Sequence, residues 1–241
     1  MSLKETLAYT YLKNTNLTLR SIFKREKDIL PAAPFKEYPN APRVKLEIED
    51  FPETASLFQI LAERRSKRNY RRLEISKEEV ALLCYATQGV TAIAGNYLLR
   101  TAPSAGALYP IETYLAVNFS SEIAPGLYHL NVREFSLERL AEGYFGDILK
   151  EIALGQAFLA SASVVFIWSA VLRRTMSKYG ERGLRYIFLD CGHICQNLLL
   201  VCTALGLKAC PVGAFFDEDL NDLLHLDGEE ETVIYLATVG K

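Results

Sequence analysis

Residues 184–205 form the longest apolar run in the chain, nearly long enough to span a bilayer. Arg185, Asp190, His193, Gln196 and Asn197 stand inside it. A lipid-facing helix would leave these groups in hydrocarbon, so the run reads as the long buried central helix of a packed domain, closed by Gly206. Asp190, His193 and Asn197 fall at i, i+3 and i+7 with Gln196 adjacent; Cys191, Ile194, Leu198 and Val201 share another face. Polar groups on a buried helix need partners. A hydrogen-bonded dimer interface is the ordinary account, and a catalytic His193 the sharper one.

The elements around that helix place it in an α+β domain with a mostly antiparallel sheet. Residues 9–27 read as a polar helix. Pro31, Pro34, Pro39, Pro42 and Pro52 then make an extended arm, laid over the domain or over a second subunit. Helices are expected over 53–63, from Ser76 with its capping partner Glu79 to Gly89, over 148–159, and from a capping Asp217 to Leu224. Strands are expected over 111–118, 164–168 and 232–239, with a hairpin of 126–131 and 134–137 around Val132-Arg133. We divide the chain into an arm, 1–52, and a domain, 53–241.

Charge narrows the function classes. Lys and Arg number 27 against 29 Asp and Glu, a formal net charge of -2, which gives no field for nucleic acid or a membrane surface. No basic stretch followed by an apolar core opens the chain, so a cytoplasmic protein is expected. Cys191 and Cys195 flank His193, but structural zinc sites favour paired short spacings on loops; the five cysteines read as small hydrophobes in a reducing compartment, and no metal is expected.

Three further segments carry chemistry. Arg64-Arg65-Ser66-Lys67-Arg68 follows a helix, and alternate residues of an extended stretch line one groove, so Arg64, Ser66 and Arg68 suit an anionic ligand. Pro103-Ser104-Ala105-Gly106-Ala107-Leu108-Tyr109-Pro110 sets small residues between prolines, where backbone can approach a flat ligand closely. Pro211-Val212-Gly213-Ala214 after the long helix is a second such loop. Alone, each has a bland account: a basic helix end, a tight strand entry, a turn.

In this order, the Arg-Arg-Ser-x-Arg segment, the Pro-Ser-Ala-Gly-Ala-Leu-Tyr-Pro loop, Gly192-His193-x-x-Gln196-Asn197 and Pro211-Val212-Gly213-Ala214-Phe215 resemble the SagB-type (McbC-like) azoline dehydrogenase branch of the nitroreductases. Pro34-Phe35-Lys36-Glu37-Tyr38-Pro39 and Gln88-Gly89-Val90-Thr91 add to the resemblance, which runs from about Tyr9 to Lys241. It implies a nitroreductase-like fold and a homodimer with FMN held between subunits. It also implies that Arg64 and Ser66 meet the phosphate and ribityl chain and that Arg68 meets the pyrimidine edge. Pro103, Ser104 and Ala105 would come from the second subunit, Pro211 to Gly213 would face the ring, and Lys241 falls where related proteins set a cation against the phosphate. Lys178-Tyr179 looks like the Lys-Tyr pair implicated in azoline dehydrogenases, with Ser177 where a hydrophobic residue is expected. Two glycines nearby, Gly180 and Gly183, suggest a loop able to fold over a site.

The expected activity is two-electron oxidation of an azoline ring in a modified peptide. The alternatives are NAD(P)H-dependent reduction of nitro compounds or quinones, and a flavin-binding scaffold subunit of a peptide-modifying complex.

Overall fold

The structure, a computed structural model, describes residues 2–18, 29–95 and 97–241. Helix α1 (Leu7–Asn14) is capped by the Thr6 hydroxyl. It stops well short of residue 27 because Arg182 and Arg185 take the carbonyl and hydroxyl oxygens of Thr15; residues 19–27 lie outside the described residues. The arm then contributes β1 (Arg43–Lys45) and, just past it, the core side chain Leu46. Helix α2 (Leu57–Glu63) begins later than 53, where Ser56 caps the Gln59 amide. Helix α3 (Lys77–Gln88) has the expected capping box, with Glu79 N donating to Ser76 Oγ at 3.0 Å and Ser76 N to Glu79 Oε2 at 2.7 Å. Gly89 is needed there for closeness rather than for handedness: its φ is -56°, and an added Cβ would lie 2.3 Å from the Tyr85 ring.

A separate ribbon of β2 (Val90–Ala94) and β3 (Tyr97–Arg100) follows. Then come β4 (Ile111–Val117), β5 (Gly126–Asn131), β6 (Ser136–Glu142), α4 (Gly146–Ile152), β7 (Val164–Val171), α5 (Leu172–Tyr179), α6 (Gly183–Ala204), β8 (Lys208–Val212), α7 (Asp217–Leu223) and β9 (Glu231–Gly240). The main sheet has seven strands in the order β1-β6-β5-β4-β7-β9-β8, and each neighbouring pair is antiparallel. Strands β4 and β7 lie mid-sheet and are buried on both faces, since each face is covered. Leu115, Phe166 and Trp168 meet α3 and α6 on one face, while Ala116, Val165 and Ile167 meet α4 and α7 on the other.

Three local expectations are corrected. The helix over 148–159 is two pieces, α4 and a 3-10 turn at Ala157–Ser161, because Leu154 and Gly155 adopt left-handed φ values of 59° and 73°. The second hairpin strand begins at Ser136, after a turn that places Phe135 at φ 45°. Asp217 is the first residue of α7, and no side chain caps that helix.

Helix α6 is buried on one side only in the single chain. Ile187, Cys191, Ile194 and Leu198 face the sheet, while Phe188 and Leu189 are 53% and 57% exposed beside exposed Gly192, His193 and Gln196. The run Leu172–Ala204 has the length and hydropathy of a membrane span, yet Arg174 and Asp190 within it are buried and hydrogen-bonded to other parts of the protein. All five cysteines are buried free thiols.

Candidate active site

Two groups of the residues singled out above come together, each built from distant parts of the chain. In the first, the chain leaves α2 at Arg64 and runs beside β8: Ser66 bridges Ala209 in parallel register, and Lys67 N donates to the Ala209 carbonyl at 2.9 Å. This sets the arginine-serine segment along the strand that leads to Pro211, Val212 and Gly213. The Arg68 guanidinium lies 5.7 Å over the Phe158 ring, and its charge partly offsets the rise that burial gives the Cys210 thiol pKa. Arg65 turns back and donates to the carbonyls of Ala62 and Arg64 at 3.0 and 2.7 Å, so it serves the α2 terminus. Lys241 lies at the start of α3, with its ammonium 2.9 Å from Glu79 Oε2 and its carbonyl accepting from Arg71 N.

The donor set of this group suits a phosphorylated flavin. Arg64 and Arg68 make no ion pair among the described residues, and the exposed Ser66 hydroxyl lies between them in sequence. Among the described residues an added Cβ on Gly213 would meet only Tyr235, at 3.7 Å, so none of them demands glycine there. A ligand approaching the backbone would.

The second group surrounds residues 103–109. Ser104 Oγ donates to Asp190 Oδ2 at 2.6 Å, Ala105 N to Asp190 Oδ1 at 3.3 Å, and Tyr109 N to Ser104 Oγ at 2.9 Å. Burial raises the Asp190 carboxyl above its usual range against these hydrogen bonds. Gly106, Ala107 and Tyr109 have φ values of 66°, 54° and 44°, a concentration of left-handed backbone that ordinary residues avoid. Lys178 and Tyr179 converge on this loop. A Cβ on Gly106 would lie 2.7 Å from Tyr179 Oη and 2.8 Å from Lys178 Nζ.

The pair is not on a loop as expected. It forms the last turn of α5, and Gly180 ends that helix with a φ of 58°. The Tyr179 ring packs edge-on against Tyr186 with 4.9 Å between centroids, and the Tyr186 hydroxyl accepts from Arg182 Nε, so the neighbouring helix fixes its direction. The polar stripe on α6 divides. Asp190 holds the loop, Asn197 Nδ2 donates to the Ala86 carbonyl at 3.1 Å, and His193 and Gln196 stay exposed.

Sequence reading missed a buried polar network on the opposite face of the sheet. His129 is fully buried between Glu138 and Glu112, at 3.0 and 3.1 Å. Both ring nitrogens can donate to carboxylates only in the imidazolium. Burial works against that charge, but the two carboxylates outweigh it and raise the His129 pKa. Glu112 also pairs with Arg174 at 2.6 Å, and burial of the carboxyl is overcome by His129 and Arg174, which hold it at about 2. Alongside, Lys36 of the arm reaches Glu231 at 2.6 Å and Tyr114 Oη at 2.8 Å, and Ser169 Oγ donates to Glu231 at 2.6 Å. The available signal was a glutamate within an otherwise apolar strand, Ile111-Glu112-Thr113-Tyr114.

The nitroreductase family pattern matches residues 61–241. A Methanocaldococcus jannaschii protein named for the nitroreductases is 34% identical over 82% of this chain and 96% of its own length. The trifolitoxin-processing protein TfxB of Rhizobium leguminosarum is 29% identical over 64% of this chain, a match that spans 44% of TfxB. A crystal structure from Anabaena variabilis, also named for the nitroreductases, superposes with a TM-score of 0.73 at 28% identity, covering 84% of this chain and 42% of that one.

Proposed function

Because the chain belongs to the nitroreductase family and is an oxidoreductase of that fold, we propose that it is an FMN-dependent dehydrogenase acting on azoline rings in a modified peptide. The observation that carries this reading is the convergence of Lys178 and Tyr179 on the backbone at Gly106. Similarity to a trifolitoxin-processing protein supports the substrate class.

Oxidising an azoline to an azole removes a proton and a hydride from the ring. When bound, FMN supplies the two-electron acceptor. The chain's own residues have to supply the proton acceptor. Tyr179 and Lys178 are the candidate groups that meet at the loop, and the Tyr179 ring is held by Tyr186. Arg64 and Ser66 would hold the phosphate and ribityl chain, Arg68 the pyrimidine edge, and residues 211–213 the ring; His193 stands exposed near Asp190 as a second candidate for proton transfer. A reductase using NAD(P)H is the competing activity, and steady-state assays with and without NAD(P)H separate the two.

The purified protein is expected to be yellow, and heat should release FMN rather than FAD. Arg68→Ala should weaken flavin binding or lower the flavin potential, because a cation beside the pyrimidine edge favours the reduced anion. Unchanged affinity and potential would remove Arg68 from the site.

The active unit in this proposal is a homodimer. Gly192 lies mid-helix, where glycine costs about 1 kcal/mol relative to alanine, and an added Cβ there would meet nothing within 4 Å. With Phe188 and Leu189 exposed on the same helix, a close-packed partner is the physical account. Leu189→Arg is therefore expected to give a monomer in light scattering and to lose FMN. A monomer that keeps its flavin would contradict a shared site.

A further inference from the structure

Arg174 is a charged residue in the first turn of α5, and it is only 4% exposed. Its guanidinium ties three separate parts of the chain. Nε donates to the Ala33 carbonyl of the arm at 2.7 Å, Nη1 to the Tyr109 carbonyl at 3.2 Å, and Nη2 meets Glu112 Oε1 of β4 at 2.6 Å. Glu112 is itself fixed by His129. One turn further along the same helix stand Lys178 and Tyr179.

The loop those two residues face has little reason to keep its shape unaided. Non-glycine residues in the left-handed region cost roughly 1–2 kcal/mol each, and Ala107 and Tyr109 both adopt it. Such backbone persists where its surroundings hold it. Two charged side chains hydrogen-bond this loop, one on each side of Gly106: Asp190 at Ser104 and Ala105, and Arg174 at the Tyr109 carbonyl; Arg100 stacks on the Tyr109 ring at 4.4 Å. Arg174 ties the loop at Tyr109 to the helix that carries the pair.

We propose that Arg174, with Asp190 at the other end of the loop, is a positioning residue that keeps residues 103–109 and α5 in the register that brings Lys178 and Tyr179 onto Gly106. The proposal rests on the reading of that pair as the proton acceptor. Lysine cannot replace the guanidinium, because a single ammonium lacks the planar fork that reaches acceptors on three sides.

The test uses FMN-loaded Arg174→Lys, which retains a positive charge opposite Glu112, with a synthetic peptide bearing one thiazoline as substrate. Deuterium uptake of residues 103–109 should quicken while that of β7 and β9 stays unchanged. The kcat should fall by up to about 10²-fold, the scale of a small misplacement at a reacting centre, with KM little altered. In a Tyr179→Phe background the same substitution should cost almost nothing further. If Arg174→Lys does not fold, Asp190→Asn loosens the other end of the loop and should give the same exchange and kcat changes. Unchanged exchange in the loop, a change in KM alone, or full additivity with Tyr179→Phe would overturn the proposal. Full turnover by Lys178→Ala and Tyr179→Phe would overturn the reading of the pair, and the exchange measurement would still decide whether Arg174 and Asp190 hold the loop.

Discussion

Tyr179→Phe and Lys178→Ala are expected to lower thiazoline oxidation by about 10²–10⁴-fold at full FMN occupancy, the range for losing a positioned general base. The geometry behind this is specific. Tyr179 Oη and Lys178 Nζ both come within 3 Å of the point where a Cβ on Gly106 would sit. Gly106→Ala therefore offers an independent check, since its methyl would occupy that point while the backbone stays at a φ of 66°. It should push both groups from the loop and lower turnover without touching either one chemically. Flavin occupancy has to be measured alongside, because a fall caused by lost cofactor says nothing about proton transfer. Variants that keep full turnover with full occupancy would remove the pair from the chemistry and leave a plain flavin reductase as the better account.

The second large effect is on stability. Glu112→Gln is expected to cost about 3–5 kcal/mol, the range for breaking a buried ion pair by removing one partner. For a chain of this size that is roughly a 6–20 °C fall in Tm. Arg174 would remain buried without the carboxylate it pairs with, and the His129 imidazolium would keep only one of its two, Glu138. The network also predicts the sign of the pH dependence. Glu112 has a folded-state pKa of about 2, below its ordinary 4.5, so its contribution is present above 4.5 and is lost as pH falls toward 2. His129 has a folded-state pKa above its ordinary 6.5, so its contribution is full below 6.5 and is lost as pH rises through the raised value. Urea midpoints should therefore be highest between these limits and fall on both sides. In Glu112→Gln the acid limb should flatten, since the carboxylate that titrates there is gone. An acid limb of unchanged slope would show that other carboxylates govern it.

Much of this architecture follows from local sequence. The Ser76-Glu79 box sets the start of α3, because the two side chains satisfy each other's backbone donors within one turn. The aromatic and β-branched stretch at 111–118 and the apolar run at 164–168 both become mid-sheet strands, and the latter, apolar on both faces, needs cover on both. The long apolar helix with polar interruptions is likewise legible, as are the small-residue loops and the arginine-serine segment. Boundaries set by other parts of the chain were not. Helix α1 ends where Arg182 and Arg185 capture Thr15, and nothing near residue 15 announces arginines 167 and 170 positions away.

The candidate site divides the same way. Residue types and spacing identified Arg64, Ser66, Arg68, residues 103–106, residues 211–213 and Lys178-Tyr179 as places where chemistry can occur. Sequence alone put Lys178-Tyr179 on a loop, because the glycines at 180 and 183 suggest flexibility. In the fold, Gly180 merely ends α5, and the pair extends that helix toward Gly106. That Ser66 lies beside Ala209, that Asp190 holds Ser104, and that Arg174 joins Ala33, Tyr109 and Glu112 were decided by strand order and helix packing. Periodicity and capping are read within a few residues, because backbone hydrogen bonds in helices and turns are local. Which distant polar groups share a buried space depends on how the sheet is ordered, and a buried charge such as Arg174 becomes tolerable only when the whole fold has assembled its acceptors.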